Sequence, residues 1–392
     1  MHRSESFQGK ESLAPDEAAH EGGLTLRARE TARQAGFEDA LEKLREQHLL
    51  APEIARVKAQ YEKQLLDAES FMTEDTWEAF TVMELYHPET ADHCANTYRL
   101  AREKVERRLS GSGVLLSELF NEEKVALGVF YRACLLHDVG KVDIPYDIIA
   151  NTVSDRECAY RLASRKDDPL VQEAFAKGQI SPTDDPEELI RSLAANGRRP
   201  KDIAPARLLL SPEVADALAK RGVEITKTIA ELIRPHEMRS AAILEALGFY
   251  EEGRLVARHH NYQNLPADAP VAVGTLEVGV DLAEILHLAD VEQAMMAHRK
   301  YQLPATDLDA LLTLVAHAER HFIRNADVAA VWVLDDLGRL YPGSTEEGAD
   351  EVVCDSDEYP PLAAISAFLK KHDPVRLGTR TVRISIPSLR CR

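Results

Sequence analysis

The segment LLHDVGK places two side chains that can bind metal, His137 and Asp138, at the end of an apolar helix. Neighbouring side chains on a helix diverge by about 100°, so both serve one centre only if Asp138 reaches across or bridges two ions. Gly140 and the cation Lys141 follow directly. A His-Asp pair alone is common and also fits an ordinary capped helix end. Its interpretation therefore depends on similar residues elsewhere in the chain.

A second pair precedes this segment. PETADHCANTYRLA places Glu89 and His93 four residues apart, which puts both on one helix face about one turn apart. Ligands to neighbouring ions need this arrangement, although a solvated Glu-His pair has the same spacing.

Further candidates follow downstream. His236 starts an amphipathic helix in RPHEMRSAAILEALG, and ARHHNYQ carries His259 and His260 in tandem. Asp290 lies in the otherwise apolar helix LAEILHLADVEQAMM, where an unpaired carboxylate is costly to bury. His287, one turn earlier, either supports a ligand or is an ordinary hydrogen-bonded histidine. The order along the chain is thus Glu, His, His-Asp, His, His-His and Asp.

This order resembles that of the HD-domain phosphohydrolases, and most closely the HD-GYP cyclic-dinucleotide phosphodiesterases. PETADH resembles their ETGxH element, HDVGKVDIPYDII their HDIGKIxIPxxIL, and PHEMRSAAIL their HPxxGxxIL. HH and ADVEQAMMAHRKY resemble their HHE and ADVxDAxxxxRxY. The resemblance covers about residues 86–150 and 225–303, roughly a third of the chain. It implies a helical HD bundle whose metal ligands are Glu89, His93, His137, Asp138, His236, His259, His260 and Asp290.

The resemblance also implies phosphodiester hydrolysis with two or three divalent transition ions, preferably Fe or Mn. A water shared by two ions about 3.5–4 Å apart loses its proton readily, and both ions clamp the phosphate. A mixed set of His and carboxylate ligands suits these ions better than Ca or a thiolate zinc site. Asp138 is the candidate bridging carboxylate. Lys141, at the position of the family's phosphate-contacting lysine, would offset charge on the non-attacked oxygen.

Two features depart from the HD-GYP pattern. The tandem histidines are followed by NYQNLPADAP, without the Gly-Tyr-Pro that the family associates with cyclic di-GMP. Tyr262 and Asn264 in this stretch, and Arg299 in HRKY, are candidate substrate-binding residues. The second departure is the long segment between Asp138 and His236. The expected substrate is a cyclic or linear dinucleotide. Two alternatives are a mononucleotide or nucleoside polyphosphate substrate, and a non-catalytic nucleotide-binding signalling module.

Helical patterns must position these residues. Apolar periodicity predicts helices over about residues 88–109, 122–136, 225–248, 254–260 and 278–298. The charged, turn-rich stretch 151–224 predicts an insertion with short helices within an HD domain over residues 73–325.

The flanking regions have a different character. Residues 1–23 are expected to be disordered, and residues 24–72 to form a helical arm that either mediates homodimerisation or packs on the domain. VAAVWVLDDLGRLYP (328–342) resembles two short strands around a turn, and TVRISIP resembles a half-buried strand. The fold class expected is therefore mainly α, with a small mixed α/β C-terminal extension over residues 326–392.

Composition limits the partners. The formal net charge of −19 has the wrong sign for a broad DNA or RNA surface. No apolar run approaches the roughly 20 residues of a membrane span, and the polar start does not resemble a secretory signal. Five scattered cysteines without a CxxC pair predict neither a disulfide framework nor a structural zinc site. A cytoplasmic protein acting on a small phosphorylated nucleotide is expected.

Overall fold

The computed structural model describes residues 15–65, 68–106, 127–196, 198–260, 282–296, 307–319, 326–340, 345–347, 360–372 and 382–384. Over these ranges the chain is mainly helical, as predicted. Two short strands, β1 (Thr345–Glu347) and β2 (Val382–Ile384), pair antiparallel, and β2 falls within TVRISIP. None of the helices in the described part of the chain is both long enough and apolar enough to span a bilayer.

The amino-terminal helices pack on the main core. They are α1 (Pro15–Arg33), α2 (Phe37–Glu46), α3 (Leu50–Tyr61), α4 (Glu74–Tyr86) and α5 (Pro88–Glu106). Helices α1, α2 and α3 contact α4, so the predicted amino-terminal arm packs on the domain. Homodimerisation through this arm stays a prediction. The disorder predicted for residues 15–23 is wrong, because α1 begins at Pro15, a residue favoured in a first helical turn. Residues 1–14 lie outside the described residues.

The His-Asp pair lies between two helical segments. Helix α6 (Leu127–Leu136) is almost entirely buried and ends directly before His137. A 3₁₀ helix (Val139–Asp143) and the short α7 (Tyr146–Ile149) follow. The predicted helix end before the two candidate ligands is therefore confirmed.

The expected insertion consists of short helices, most of which share a hydrophobic core separate from the main one. This core includes Cys158, Phe175 and Leu193. Ser154, Asp168, Asp185 and Ser211 each accept a backbone N–H at a helix start, and proline follows the last three of these caps. The helices are α8 (Asp155–Ala163), α9 (Pro169–Gly178), α10 (Pro186–Ala195), α11 (Ala206–Leu209) and α12 (Pro212–Lys220).

The helices after the insertion differ from the predicted boundaries. The helical pattern predicted over residues 225–248 is interrupted at Pro235, which lacks an N–H: α13 (Ile229–Ile233) ends before it, and α14 (His236–Ala246) starts at His236 as predicted. The helix predicted over residues 254–260 is α15 (Tyr250–Val256), which ends before the tandem histidines. Helix α16 (Leu282–Met296) carries Asp290 as predicted.

The carboxyl-terminal region contains α17 (Asp307–Glu319), α18 (Ala326–Leu340) and α19 (Pro360–Lys371). The prediction of two strands over residues 328–342 is wrong, because α18 covers nearly all of them. Ala329, Trp332, Val333 and Leu337 are buried at positions i, i+3, i+4 and i+8, the spacing of one helix face. These side chains belong to the same hydrophobic core as side chains of α4 and α5.

Close packing fixes the 3₁₀ helix in the middle of the fold. A Cβ added at Gly140 would lie 2.3 Å from both the carbonyl oxygen of His236 and the backbone nitrogen of Ser240. The N–H of Gly140 donates to Ser240 Oγ at 2.8 Å. At the other end of the 3₁₀ helix, Asp143 Oδ1 accepts the backbone N–H of Phe37 at 2.7 Å. Only glycine allows α14 to approach the His-Asp segment this closely.

Candidate metal centre

Three histidines share the same local hydrogen-bond arrangement. His137, His236 and His259 each lie within three residues of the end of a helix, and each Nδ1 contacts the backbone carbonyl three residues earlier. A carbonyl oxygen only accepts, so each Nδ1 must carry the proton and each Nε2 offers a free lone pair. The carbonyls are those of Cys134 (2.8 Å), Ile233 (2.9 Å) and Val256 (2.6 Å).

The three Nε2 atoms converge in a buried space. None of them has a hydrogen-bond partner among the described residues, although all are shielded from solvent. His236 Nε2 lies 3.1 Å from Asp138 Oδ1 without hydrogen-bond geometry, and this oxygen is itself buried and unpartnered. Buried polar atoms left in this way are costly unless something absent from the protein satisfies them. A cation would satisfy all four atoms.

Two carboxylates span the cluster. Asp138 directs Oδ1 towards His236, while its Oδ2 lies 3.6 Å from His137 Nε2. Asp290 Oδ1 lies 2.7 Å from His93 Nε2, and its Oδ2 lies 3.4 Å from His260 Nε2. Each carboxylate therefore places its two oxygens against different histidines, the arrangement expected of a group that bridges neighbouring ions.

The donor set fits divalent transition ions. The ligand atoms of each of three groups lie within 4.8 Å of one another, close enough to serve one ion. Imidazole nitrogens mixed with carboxylate oxygens suit Fe, Mn or Zn better than Ca or Mg. The groups are His93–His137–Asp138, His137–His259–Asp290 and His236–His259–His260.

The charge states favour binding a cation. Burial lowers the pKa of His93 and of His259, which stay neutral, and it lowers the pKa of His260 to about 3. Burial alone would raise the pKa of Asp138, but Lys141 and His137 outweigh it and hold this pKa well below its usual range. The neighbouring histidines, His137 first, likewise outweigh burial and hold the pKa of Asp290 well below its usual range. The cluster thus presents ionised carboxylates beside neutral His93, His259 and His260, whereas Cys94 and Asp138 outweigh burial and raise the pKa of His137.

Lys141 joins the cluster to a cleft. Its half-buried ammonium donates to Asp138 Oδ2, and this carboxylate outweighs burial to raise the pKa of Lys141. The cleft has a volume of about 800 Å³, and His93 and Lys141 lie in its wall. A ligand in this cleft would meet the fixed cation and the ligand cluster together.

Seven of the eight predicted ligands come together, and the eighth lies beside them. Glu89 belongs to none of the three groups found among the described residues; it is exposed and lines the cleft one turn before His93. His287 is buried, and its Nε2 lies 3.2 Å from His317 Nδ1, as expected of a hydrogen-bonded histidine. The candidate substrate residues Tyr262, Asn264 and Arg299 lie outside the described residues.

Two features of the site carried no recognisable signal in the sequence. Ser240 accepts the N–H of Gly140 and holds α14 against the His-Asp segment. Trp332 on α18 donates to Glu292, a residue that lines the cleft. Spacing within one helix could not reveal either contact, because the partners are 100 and 40 residues apart. A comparison of the chain with protein-family models, curated proteins and solved structures finds no match.

Proposed function

We propose that this chain is a metal-dependent phosphohydrolase that cleaves a phosphodiester, related to the HD-GYP phosphodiesterases by the motifs of its sequence. The observation that carries the proposal is the convergence of three buried Nε2 atoms, without hydrogen-bond partners among the described residues, beside the carboxylates of Asp138 and Asp290 and the ammonium of Lys141. Few structural roles require such a set, because each unsatisfied buried polar atom destabilises the fold.

The residues have separable roles in this proposal. His93, His137, His236, His259 and His260 would hold two or three divalent ions, with Asp138 and Asp290 between them. Bound ions would supply a deprotonated water at neutral pH and charge neutralisation on the phosphate.

Lys141 would act on the ester itself. It would hold a positive charge against a non-attacked phosphoryl oxygen, where negative charge increases in the transition state. Burial of His137, His236 and His259 would exclude water that competes for the ions.

The decisive experiment combines metal analysis with hydrolysis. Protein reconstituted with Fe(II) or Mn(II) is expected to retain at least two equivalents and to hydrolyse bis(p-nitrophenyl) phosphate. Asp138→Asn keeps the shape of the side chain but removes its negative charge. This variant should lose metal and slow turnover by at least about a hundredfold. Asp216→Asn, at an exposed position of α12, is the matched control.

Retention of less than one equivalent by the native sequence after reconstitution would contradict the proposal. The two alternatives give different results in the same assay. A nucleoside-polyphosphate hydrolase would release phosphate from triphosphates faster than it cleaves diesters. A non-catalytic module would bind both metal and nucleotide and release no product.

A further inference from the structure

A buried tryptophan holds a carboxylate in the wall of the cleft. Trp332 Nε1 donates to Glu292 Oε2 at 2.8 Å, and both residues are less than 5% exposed. Glu292 lies on α16 two residues after the ligand Asp290, yet it lies in the cleft wall with Gln293 and Met296. The hydrogen bond fixes one carboxylate oxygen and so restricts where the other can point.

The position of Trp332 is itself fixed by a buried ion cluster. Lys104 Nζ lies 2.6 Å from a carboxylate oxygen of Asp335 and 2.6 Å from one of Asp336. The same ammonium lies 4.9 Å from the centre of the Trp332 ring. These contacts join α5, whose other end carries His93, to α18, whose Trp332 donates to Glu292. The carboxylate is therefore preorganised rather than free to rotate.

The described lining of the cleft is acidic. It carries four carboxylates, those of Glu89, Asp92, Glu103 and Glu292, and two cations, Arg99 and Lys141. Because carboxylates outnumber cations among these residues, the cleft away from the histidine cluster favours a ligand with few phosphates over one with several. A carboxylate accepts hydrogen bonds only, so it stabilises a ligand that offers hydroxyl or N–H donors.

We propose that Glu292, positioned by Trp332, is a specificity-determining residue that accepts a hydrogen bond from a donor on the nucleoside part of a phosphodiester substrate. The inference rests on the proposed function and narrows its substrate class. It favours diesters of single charge with a hydroxyl or imide N–H near the scissile phosphate, and it disfavours nucleoside polyphosphates.

Two substrates with one leaving group test this inference. Thymidine 5′-(p-nitrophenyl phosphate) and bis(p-nitrophenyl) phosphate both carry one charge and release p-nitrophenolate, but only the first offers donors. The readout is the ratio of their kcat/KM values in Mn-loaded protein. Glu292→Gln keeps an acceptor for Trp332 and replaces the other oxygen with a donor. It should lower the ratio by about tenfold, as for one lost charge-assisted hydrogen bond.

A second variant separates positioning from folding. Trp332→Phe keeps the aromatic packing and removes the donor, so the ratio should fall through KM and combine non-additively with Glu292→Gln. Trp77→Phe, a buried tryptophan that contacts Phe80, is the control and should leave the ratio unchanged. The 3′-O-methyl and N3-methyl derivatives of the thymidine ester identify whether the hydroxyl or the imide N–H is recognised.

The outcomes distinguish the two proposals. If Glu292→Gln leaves the ratio of kcat/KM values unchanged, the proposed role of Glu292 is overturned. Hydrolysis by the native sequence would still support the proposed function in that case. If the native sequence hydrolyses neither ester, the proposed function fails, and calorimetric binding of the thymidine ester decides the inference instead. Weaker binding in Glu292→Gln than in native protein supports it, and equal binding overturns it.

Discussion

Lys141 is the residue whose role differs most clearly from that of a ligand. Its ammonium contacts Asp138 and also faces the cleft. Lys141→Ala should retain the metal ions and lower kcat by about a hundredfold, the loss expected for one donor that stabilises transition-state charge. Lys177→Ala, at an exposed lysine of α9, should leave kcat unchanged. Metal analysis with kcat at saturating substrate measures both effects, and an unaltered kcat in Lys141→Ala would remove this residue from the mechanism.

The histidines predict how the metal-free protein responds to acid. Burial lowers the pKa of His93, His259 and His287 in the fold, whereas unfolded histidines take up a proton near pH 6.5. The unfolded state then binds more protons, so the free energy of unfolding falls as pH falls below 6.5. Each histidine that stays neutral contributes about 1.4 kcal/mol per pH unit.

Two other histidines modify this dependence of the free energy of unfolding on pH. His137 acts in the opposite direction, because Cys94 and Asp138 outweigh burial and raise its pKa. His260 keeps its neutral form down to about pH 3, but its side chain is 34% exposed, so solvent screens its contribution. Urea unfolding in a chelator at pH 7, 6 and 5 measures the net effect. Constant or increasing stability towards pH 5 would show that these histidines are not buried in neutral form.

The side chains that come together in the cluster could be predicted from residue type and order, but their geometry could not. The sequence shows that His236 starts a helix and that His259 precedes His260. It does not show that a carbonyl three residues earlier fixes a proton on the Nδ1 atom of each histidine, since this contact depends on where the preceding helix ends. Glu89 illustrates the limit: its spacing to His93 is that of a ligand pair, yet it lies outside the ligand groups described.

Gly140 sets the approach of one element to another. Gly140→Ala would drive a methyl group into the backbone of α14 near His236 and Ser240. The 3₁₀ helix and α14 must then separate, which should cost about 1–3 kcal/mol of stability and reduce metal retention. The control is Gly23→Ala in α1, where the added atom meets nothing within 4 Å and helix propensity should make the change neutral or stabilising. Thermal unfolding and metal content check both variants; equal behaviour would contradict the close approach.

Elements were predictable where one signal dominated. The apolar run of α6 and its polar end gave the correct element, as did the periodicity of α16. The strands predicted over residues 328–342 were wrong because valines suggested strand propensity, while burial follows the helical spacing of Ala329, Trp332 and Val333. In the insertion, Asp-Pro pairs that suggest turns are helix caps followed by a first-turn proline.

At the scale of the whole molecule, the carboxyl-terminal helices are attached to the core by charge as well as by apolar burial. Lys104→Met would leave Asp335 and Asp336 buried without their shared ammonium, which should lower the free energy of unfolding by about 3–5 kcal/mol. Lys220→Met on the exposed face of α12 is the control. Urea unfolding followed by circular dichroism measures the difference, and a loss below about 1 kcal/mol would contradict this role.

This attachment also shows why the contacts of residues 326–340 with the main core could not be predicted. Lys104 and Asp335 are 231 residues apart, and neither segment alone shows that it needs a partner. The change in composition after residue 325 suggests a separate extension, but Trp332 and Phe368 complete the core that α4 and α5 begin. Helical content could be predicted from local pattern, whereas the assignment of helices to one core depends on contacts between distant segments.

The three helices that end one to three residues before His137, His236 and His259 have a further consequence. The carboxyl end of a helix carries about half a negative charge, because its last carbonyls lack partners within the helix. The carboxyl ends of α6, α13 and α15 lie beside the cluster, where their last-turn carbonyls contact His137, His236 and His259 and where Asp138 and Asp290 are already ionised. The combined field attracts cations and repels an anionic ester. If the proposed function holds, this field predicts an order of association: cations bind first, and the ester follows once they have reversed the sign of the field.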